Sequence, residues 1–262
     1  AQLKLLKENE PEDPRASLKY IAAPIAASPY PDMDRALRGG KASASTWVVS
    51  FTATKQGGQG GQKKIPRVLL EFCTGPNSKL SDAKYCTDGC VCHRITEADD
   101  ALSDAGIAKA LAIINESPQY SGLLWGSLPC TAGSSWWAIN EKKPGGAENR
   151  AAYYKEFLQL MDAWQKVADA AFDKGWAIAF EWPKDCTLWK DPRAVELMDR
   201  YRLRAVTFTG CALGLVSRRG RPINKPWRVD SNMAEMDTHF APAQCTHKPS
   251  EHDSCSGNET KR

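Results

Sequence analysis

Between Glu148 and Lys174, the residues Phe157, Leu160, Met161, Trp164, Val167, Ala168, Ala171 and Phe172 recur every three or four positions. That spacing draws a single apolar stripe along a helix, and Gly175 is its expected stop. Short apolar runs flank it, Gly122–Leu128 before and Trp176–Glu181 after. Each has the length of a strand rather than a helix. A strand, a long helix and a second strand in succession leave few arrangements. The two strands are expected to be parallel, with a right-handed crossover.

The alternation extends in both directions. Arg67–Cys73 (RVLLEFC) reads as a strand closed by the turn signal TGPNS. Cys90–Thr96 reads as a second strand, followed by acidic EADD, and Asp104–Asn115 has helical spacing. Beyond Pro183, Pro192–Tyr201 reads as a helix and Arg204–Gly210 as a strand. The expected fold is α/β, a doubly wound and mostly parallel sheet covered on both faces. It should occupy residues 65–235. Residues 1–64, rich in Pro, Ala and charge, read as an irregular arm. This arm has one strand at 46–54 and a flexible hinge at 55–64 (KQGGQGGQKK). Residues 236–262 read as a short Cys/His-rich tail.

The chain has 262 residues, 42% of them hydrophobic, enough for one large domain or two small ones. No apolar run is long enough to span a membrane, and no secretory signal opens the chain. A start on Ala1 is expected either for a processed piece or for part of a longer polyprotein. Nine cysteines is an odd number. Without a signal they are expected to be reduced thiols of an intracellular protein, nuclear or cytoplasmic, some serving as metal ligands. Net charge is only +4. Yet Leu215–Val229 holds Arg218, Arg219, Arg221, Lys225 and Arg228 without an acid. That stretch is either a phosphate-binding patch or a solvated loop.

Open parallel sheets bind ligands at the carboxyl ends of their strands. This selects Glu71–Ser78, Glu97–Asp100, Pro129–Ser135 and Glu181–Pro183. If the strands before and after the long helix are neighbours, they lie about 4.8 Å apart. Cys130 and Glu181 would then overlook one pocket, a nucleophile beside an acid or hydrogen-bond partner. Otherwise Cys130 is a small filler and Glu181 a surface acid. Trp136, Trp137, Trp182 and Trp189 fall nearby, either to stack a base or to fill core. In the tail, Cys245, His247, His252 and Cys255 form a set of two thiolates and two imidazoles suited to zinc. His239 or Cys211 are substitutes for one ligand, and a tail without metal is the alternative. A second cluster, Cys86, Cys90, Cys92 and His93, reads mainly as core.

LLEFCTGPNS, SLPCTAGSSW and AIAFEWP, in that order, resemble the Rossmann-like methyltransferases that use S-adenosylmethionine, above all the DNA cytosine-5 methyltransferases. The likeness covers about residues 67–232. It is closer still to a divergent methyltransferase-like group of mobile elements and viruses. That group's pattern is matched by Pro129-Cys130-Thr131, Glu181-Trp182-Pro183 with Trp189, Cys211 to Leu215, Lys225-Pro226 and a Cys/His-rich end.

The resemblance implies roles. Glu71, Phe72, Cys73, Thr74 and Gly75 would line the methionine end of the cofactor, with Pro129 beside it. Glu97 or Asp99 would hold the ribose hydroxyls, and Asp100 would reach the adenine. Cys130 would add to a pyrimidine ring and Glu181 would hydrogen-bond its ring nitrogen. Arg219 and Arg221, with Arg218, would sit near the base and its phosphate. DNA is the implied partner and S-adenosylmethionine the implied cofactor.

Two departures motivate a second reading, a nucleic-acid-binding module on a degenerate methyltransferase scaffold. TGPNS has less glycine than the family's loop, and 232–262 is too short for a target-recognition domain. A third reading methylates oxygen or nitrogen, with Ser134 or Glu181 positioning the acceptor.

Overall fold

The computed structural model describes residues 67–81 and 89–254. The expected arm, strand and hinge before residue 65 lie outside these residues, as do Cys86 and Cys255. Six strands form one mixed, mostly parallel sheet: β1 Arg67–Phe72, β2 Cys90–Ile95, β3 Gly122–Gly126, β4 Ala177–Pro183, β5 Arg204–Thr209 and β6 Pro226–Ser231. Their spatial order is β2-β1-β3-β4-β6-β5. β1 pairs in parallel with β2 and β3, and β3 with β4. β6 runs antiparallel to both β4 and β5.

The helices are α1 Asp104–Glu116, the short α2 Trp137–Asn140, α3 Gly146–Asp173, α4 Pro192–Arg200 and α5 Ala234–Phe240. Local chemistry sets their ends. The Ser103 hydroxyl accepts from Gly106 N–H and so caps α1. The Asp191 carboxylate accepts from Arg193 N–H, with Pro192 in the first turn of α4. After α3, Gly175 adopts φ 74° and Trp176 N–H returns to the Ala171 carbonyl at 2.9 Å. That left-handed close satisfies the last carbonyls and turns the chain directly into β4.

The stripe on α3 packs as its spacing demands. Phe157, Leu160, Met161, Trp164, Val167, Ala168 and Ala171 are all buried. They share a core with Val68, Leu70, Phe72, Leu124, Ile178 and Phe180 from the sheet and with α1 and α4. Aromatic rings fill its centre: Trp164 meets Phe180 edge-on at 4.9 Å, and Phe180 meets Trp182 at 4.6 Å. The opposite face has a smaller core of Leu69, Leu123, Ala179, Val206 and Val229, covered by Met233, Met236 and Phe240 at α5 and by Leu80 from the β1–β2 connection. Helices therefore lie on both faces, unequally.

Three elements, the short α2, β6 and α5, have no counterpart in the sequence reading. β6 lies within and just beyond the stretch read as a basic patch or loop, and α5 straddles the start of the expected tail. β6 escapes a hydrophobic pattern because Arg228 and Asp230, two residues apart on one face, neutralise each other through two hydrogen bonds of 2.6 Å. Asp230 is nonetheless buried.

Candidate functional site

The sheet order reverses between β1 and β3. From β1 the chain moves outward to β2, returns past β1 to β3, and continues to β4. Such a switch point leaves a crevice at the carboxyl ends of the strands. Here Ser127 N–H bonds the Phe72 carbonyl at 3.1 Å, tying the two strand ends together. Cys73 follows at φ 61°, a left-handed conformation uncommon outside glycine.

β3 and β4 are neighbours, with Gly126 opposite Phe180. The condition for a shared Cys130–Glu181 site is thereby met. Glu181 accepts a hydrogen bond from the Ser127 hydroxyl at 3.3 Å, and Trp125 Nε1 donates to that hydroxyl at 2.9 Å. Burial raises the Glu181 carboxyl from 4.5 to about 7, against the opposing pull of the Lys225 ammonium and the Ser127 bond. Burial also raises the Cys130 thiol, and the Glu181 carboxylate adds to that rise while Lys225 opposes it. Sulfur, carboxyl and ammonium thus feel one another at one edge of the sheet. Lys225 stands 4.0 Å over the Trp227 ring, which holds its stem.

Ser127 and Lys225 were not singled out for the site from sequence. Ser127 had a signal, its place at the end of a strand just before Pro-Cys. Lys225 comes from far along the chain. It reaches the site because β6 runs backwards and starts beside the end of β4, where Lys184 N–H bonds the Pro226 carbonyl.

The implied cofactor positions divide. Phe72 is fully buried in the main core, so its side chain cannot line a ligand and only its backbone is at the crevice. Cys73 packs on the same core, and its thiol is pushed up to about 12 by burial. Glu71 faces the other way. Thr74 and Ser78 hydroxyls donate to its Oε2, and Arg94 stands 3.7 Å from Oε1. That buried Oε1 accepts no hydrogen bond and has the Arg94 guanidinium as its counter-charge. Space is open around Gly75. Glu97 and Asp100 are exposed at the end of β2. Asp99 is committed to its own turn, accepting from Thr96 and ion-paired to Lys109 at 2.6 Å, whereas no hydrogen bond or ion pair engages the Glu97 side chain among the described residues. Pro129 is exposed beside Cys130.

The arginines read as contacts for a base are engaged elsewhere. Arg219 and Arg221 converge on buried Asp253, at 3.0 and 3.5 Å, and Ser217 donates to the same carboxylate at 2.6 Å. They fasten the loop 210–225 to the chain end. Three of the four tryptophans settle as core: Trp137, Trp182 and Trp189 are buried, whereas Trp136 is exposed. A separate cleft of about 500 Å³ lies beyond the Thr131–Gly133 turn, lined by Ala132, Arg150, Tyr154, Thr187 and Asp191 among others. Within it Arg150 pairs with Glu141 and Tyr154 with Asp191.

At the same edge of the sheet, Cys211 joins Cys245, His247 and His252, with ligand atoms all within 4.8 Å of one another. The expected cluster is thus present in part, with Cys211 in it; the expected ligand Cys255 lies outside the described residues. Cys90 and Cys92 lie on one face of β2, their sulfurs 4.0 Å apart, and pack on the smaller core. Cys92 is disulfide-bonded, unlike the reduced thiols expected throughout, while Cys73, Cys90, Cys130, Cys186, Cys211 and Cys245 are free. Among the described residues no helix is long and apolar enough to cross a membrane. No family model, curated protein or solved structure matches the chain.

A pH dependence follows from Glu181. Its folded-state pKa lies above the ordinary value, so folding favours the protonated form. That contribution is fully present below about pH 4.5 and is lost as pH rises through about 7. Glu181→Gln, neutral throughout, should gain stability relative to the parent by up to about 3 kcal/mol between pH 5 and pH 8. Urea midpoints at the two pH values measure it; an equal offset at both would mean that the carboxyl is not shifted.

Proposed function

We propose that the chain is an S-adenosylmethionine-dependent methyltransferase acting on a pyrimidine base of nucleic acid, with Cys130 as nucleophile. The observation behind it is the meeting of Cys130 and Glu181 at the ends of adjacent parallel strands, next to the switch point where such sheets bind nucleotides. The Glu181 pKa near 7 supports the reading, because a neutral carboxyl can donate to a ring nitrogen that accepts.

In this reading the Cys130 thiol gives its proton to water, and its sulfur bonds to ring carbon 6. The ring's electron pair moves toward carbon 5 and the carbonyl, and Glu181 passes its proton to ring nitrogen 3. When bound, S-adenosylmethionine would supply an electrophilic methyl group for the carbon made electron-rich and would leave as S-adenosylhomocysteine, its sulfur keeping the electron pair of the broken S–CH3 bond. Loss of the carbon-5 proton to solvent then expels the Cys130 thiolate, and Glu181 recovers its proton from the ring. Lys225 favours the thiolate through each addition and release. Thr74, Gly75 and Glu97 would hold the cofactor, with Glu71 behind Thr74 and ion-paired to Arg94.

The second reading, a binding module without catalysis, draws support from Asp99 and Phe72, two cofactor positions already occupied by the fold. One experiment separates the two. Isothermal titration with S-adenosylmethionine, followed by transfer of labelled methyl to single- and double-stranded DNA, should give saturable binding and label in cytosine. No heat at millimolar cofactor, together with salt-sensitive DNA binding, would favour the module. Label in an oxygen or nitrogen product that persists in Cys130→Ser would instead favour the third reading.

A further inference from the structure

We propose that Cys211, Cys245, His247 and His252 bind one zinc ion, and that the ion clamps the loop 210–225 to the segment 245–252 at the edge of the sheet. The Cys245 sulfur lies 3.7 Å from His247 Nδ1 and 3.2 Å from His252 Nε2. Sulfur and nitrogen ligands of a tetrahedral zinc stand about 3.6 Å apart, given bonds of about 2.3 and 2.05 Å. The two distances bracket that value, and all four ligand atoms fit within 4.8 Å. Two thiolates and two imidazoles select zinc over the oxygen-seeking magnesium and calcium. Four protein ligands leave no open position, so the ion is structural rather than hydrolytic. On binding, the two thiols release their protons to solvent and the imidazoles coordinate in their neutral forms.

The surrounding chain explains what the ion is for. Residues 244–254 contain no Leu, Ile, Val, Met, Phe, Tyr or Trp, so they have little apolar area with which to hold a fixed path. Polar ties hold both ends. Thr209 N–H bonds the Ala243 carbonyl at 3.0 Å and Gln244 Nε2 donates to the Thr207 carbonyl at 2.7 Å. At the far end Asp253 N–H bonds the Pro222 carbonyl, and the Asp253 carboxylate takes Ser217, Arg219 and Arg221. The cysteine and histidines lie between these ties. Cys211, their fourth member, is buried in the turn Gly210–Leu213 that leads out of β5. Gly210 N–H bonds the Lys225 carbonyl at 2.8 Å. The ion therefore sits one residue from the contact that fixes the backbone of Lys225, the residue whose ammonium acts on Glu181 and Cys130. Zinc binding stands whether or not the chain transfers methyl groups, and its test uses neither cofactor nor nucleic acid.

The test is metal content of the full chain after dialysis against metal-free buffer, expected at about one zinc per chain. Cys211→Ser, Cys245→Ser and His252→Ala should each lose most of it, and Cys255→Ser should keep it. Loss in Cys255→Ser with retention in Cys211→Ser would overturn the assignment of ligands. A ligand variant that fails to fold is bypassed by stripping the parent protein and titrating it with Co²⁺. Tetrahedral ligand-field bands with thiolate charge transfer are expected, and their absence would overturn the site. Limited trypsin digestion reads the clamp. Chelator should open cleavage after Arg218 and Arg219, the loop's two basic residues not followed by proline, while α3 stays intact; an unchanged cleavage pattern would mean that the ion, if bound, clamps nothing.

Discussion

Cys130→Ser should form no covalent complex with DNA containing 5-fluorocytosine, and its methyl transfer should fall by roughly 10³-fold or more. Serine keeps the shape of the side chain but is a far weaker nucleophile near neutral pH. Cys130 is only half-buried at the rim of the main core, so the substitution should change stability by less than about 1 kcal/mol. Denaturation and activity can therefore be read separately. Glu181→Ala should be milder, about 10²- to 10⁴-fold, since it removes one proton donor and not the bond-forming atom. Wild-type yield of the covalent complex from Cys130→Ser would remove the sulfur from the mechanism.

Trp164→Ala should destabilise the protein by about 3–5 kcal/mol, enough to unfold many domains of this size. Trp164 is fully buried on α3. It meets Phe180 edge-on at 4.9 Å and Tyr201 at 5.6 Å. Its indole also closes over Gly126, where a methyl group would come within 2.7 Å of Nε1. That nitrogen has no hydrogen-bond partner. Trp164→Phe consequently forfeits volume but no hydrogen bond, and should cost only about 1–2 kcal/mol. Urea unfolding of both variants checks the pair. Equal losses would mean that the indole matters for something other than filling space.

The parallel part of the fold was legible because its pattern is local. The α3 stripe, Gly175 and the run into β4 each state their structure within a few residues, and the match extends to β1, β2, α1, α4 and β5. β6 was not legible, because Arg228 and Asp230 cancel each other inside a strand that consequently reads as polar. Phe72 shows a finer limit. RVLLEF alternates, with Val68, Leu70 and Phe72 on one phase and Arg67, Leu69 and Glu71 on the other, so its own pattern turns Phe72 into the core, whereas the resemblance implied a ligand contact for it. The structure puts Phe72 inward with Leu70 and turns Glu71 to the opposite face. The pairing of Cys130 with Glu181 could be stated only as a condition on strand order, which is a long-range property. Cys211 lies in sequence well before Cys245, and only the return of the chain through β6 and α5 brings them together.

The reversed strand has one more consequence. Because β6 runs against its neighbours, both ends of the 210–225 segment are rooted at the edge where the parallel strands finish. Residues inserted there would grow outward over that edge without altering the register of any strand. Loop-closure entropy rises only by about 0.6 kcal/mol for each doubling of length. Sequence added at Gly220, the exposed left-handed turn at the tip of the segment, would thus lengthen the loop while leaving Cys211 and Lys225 in place at its two roots.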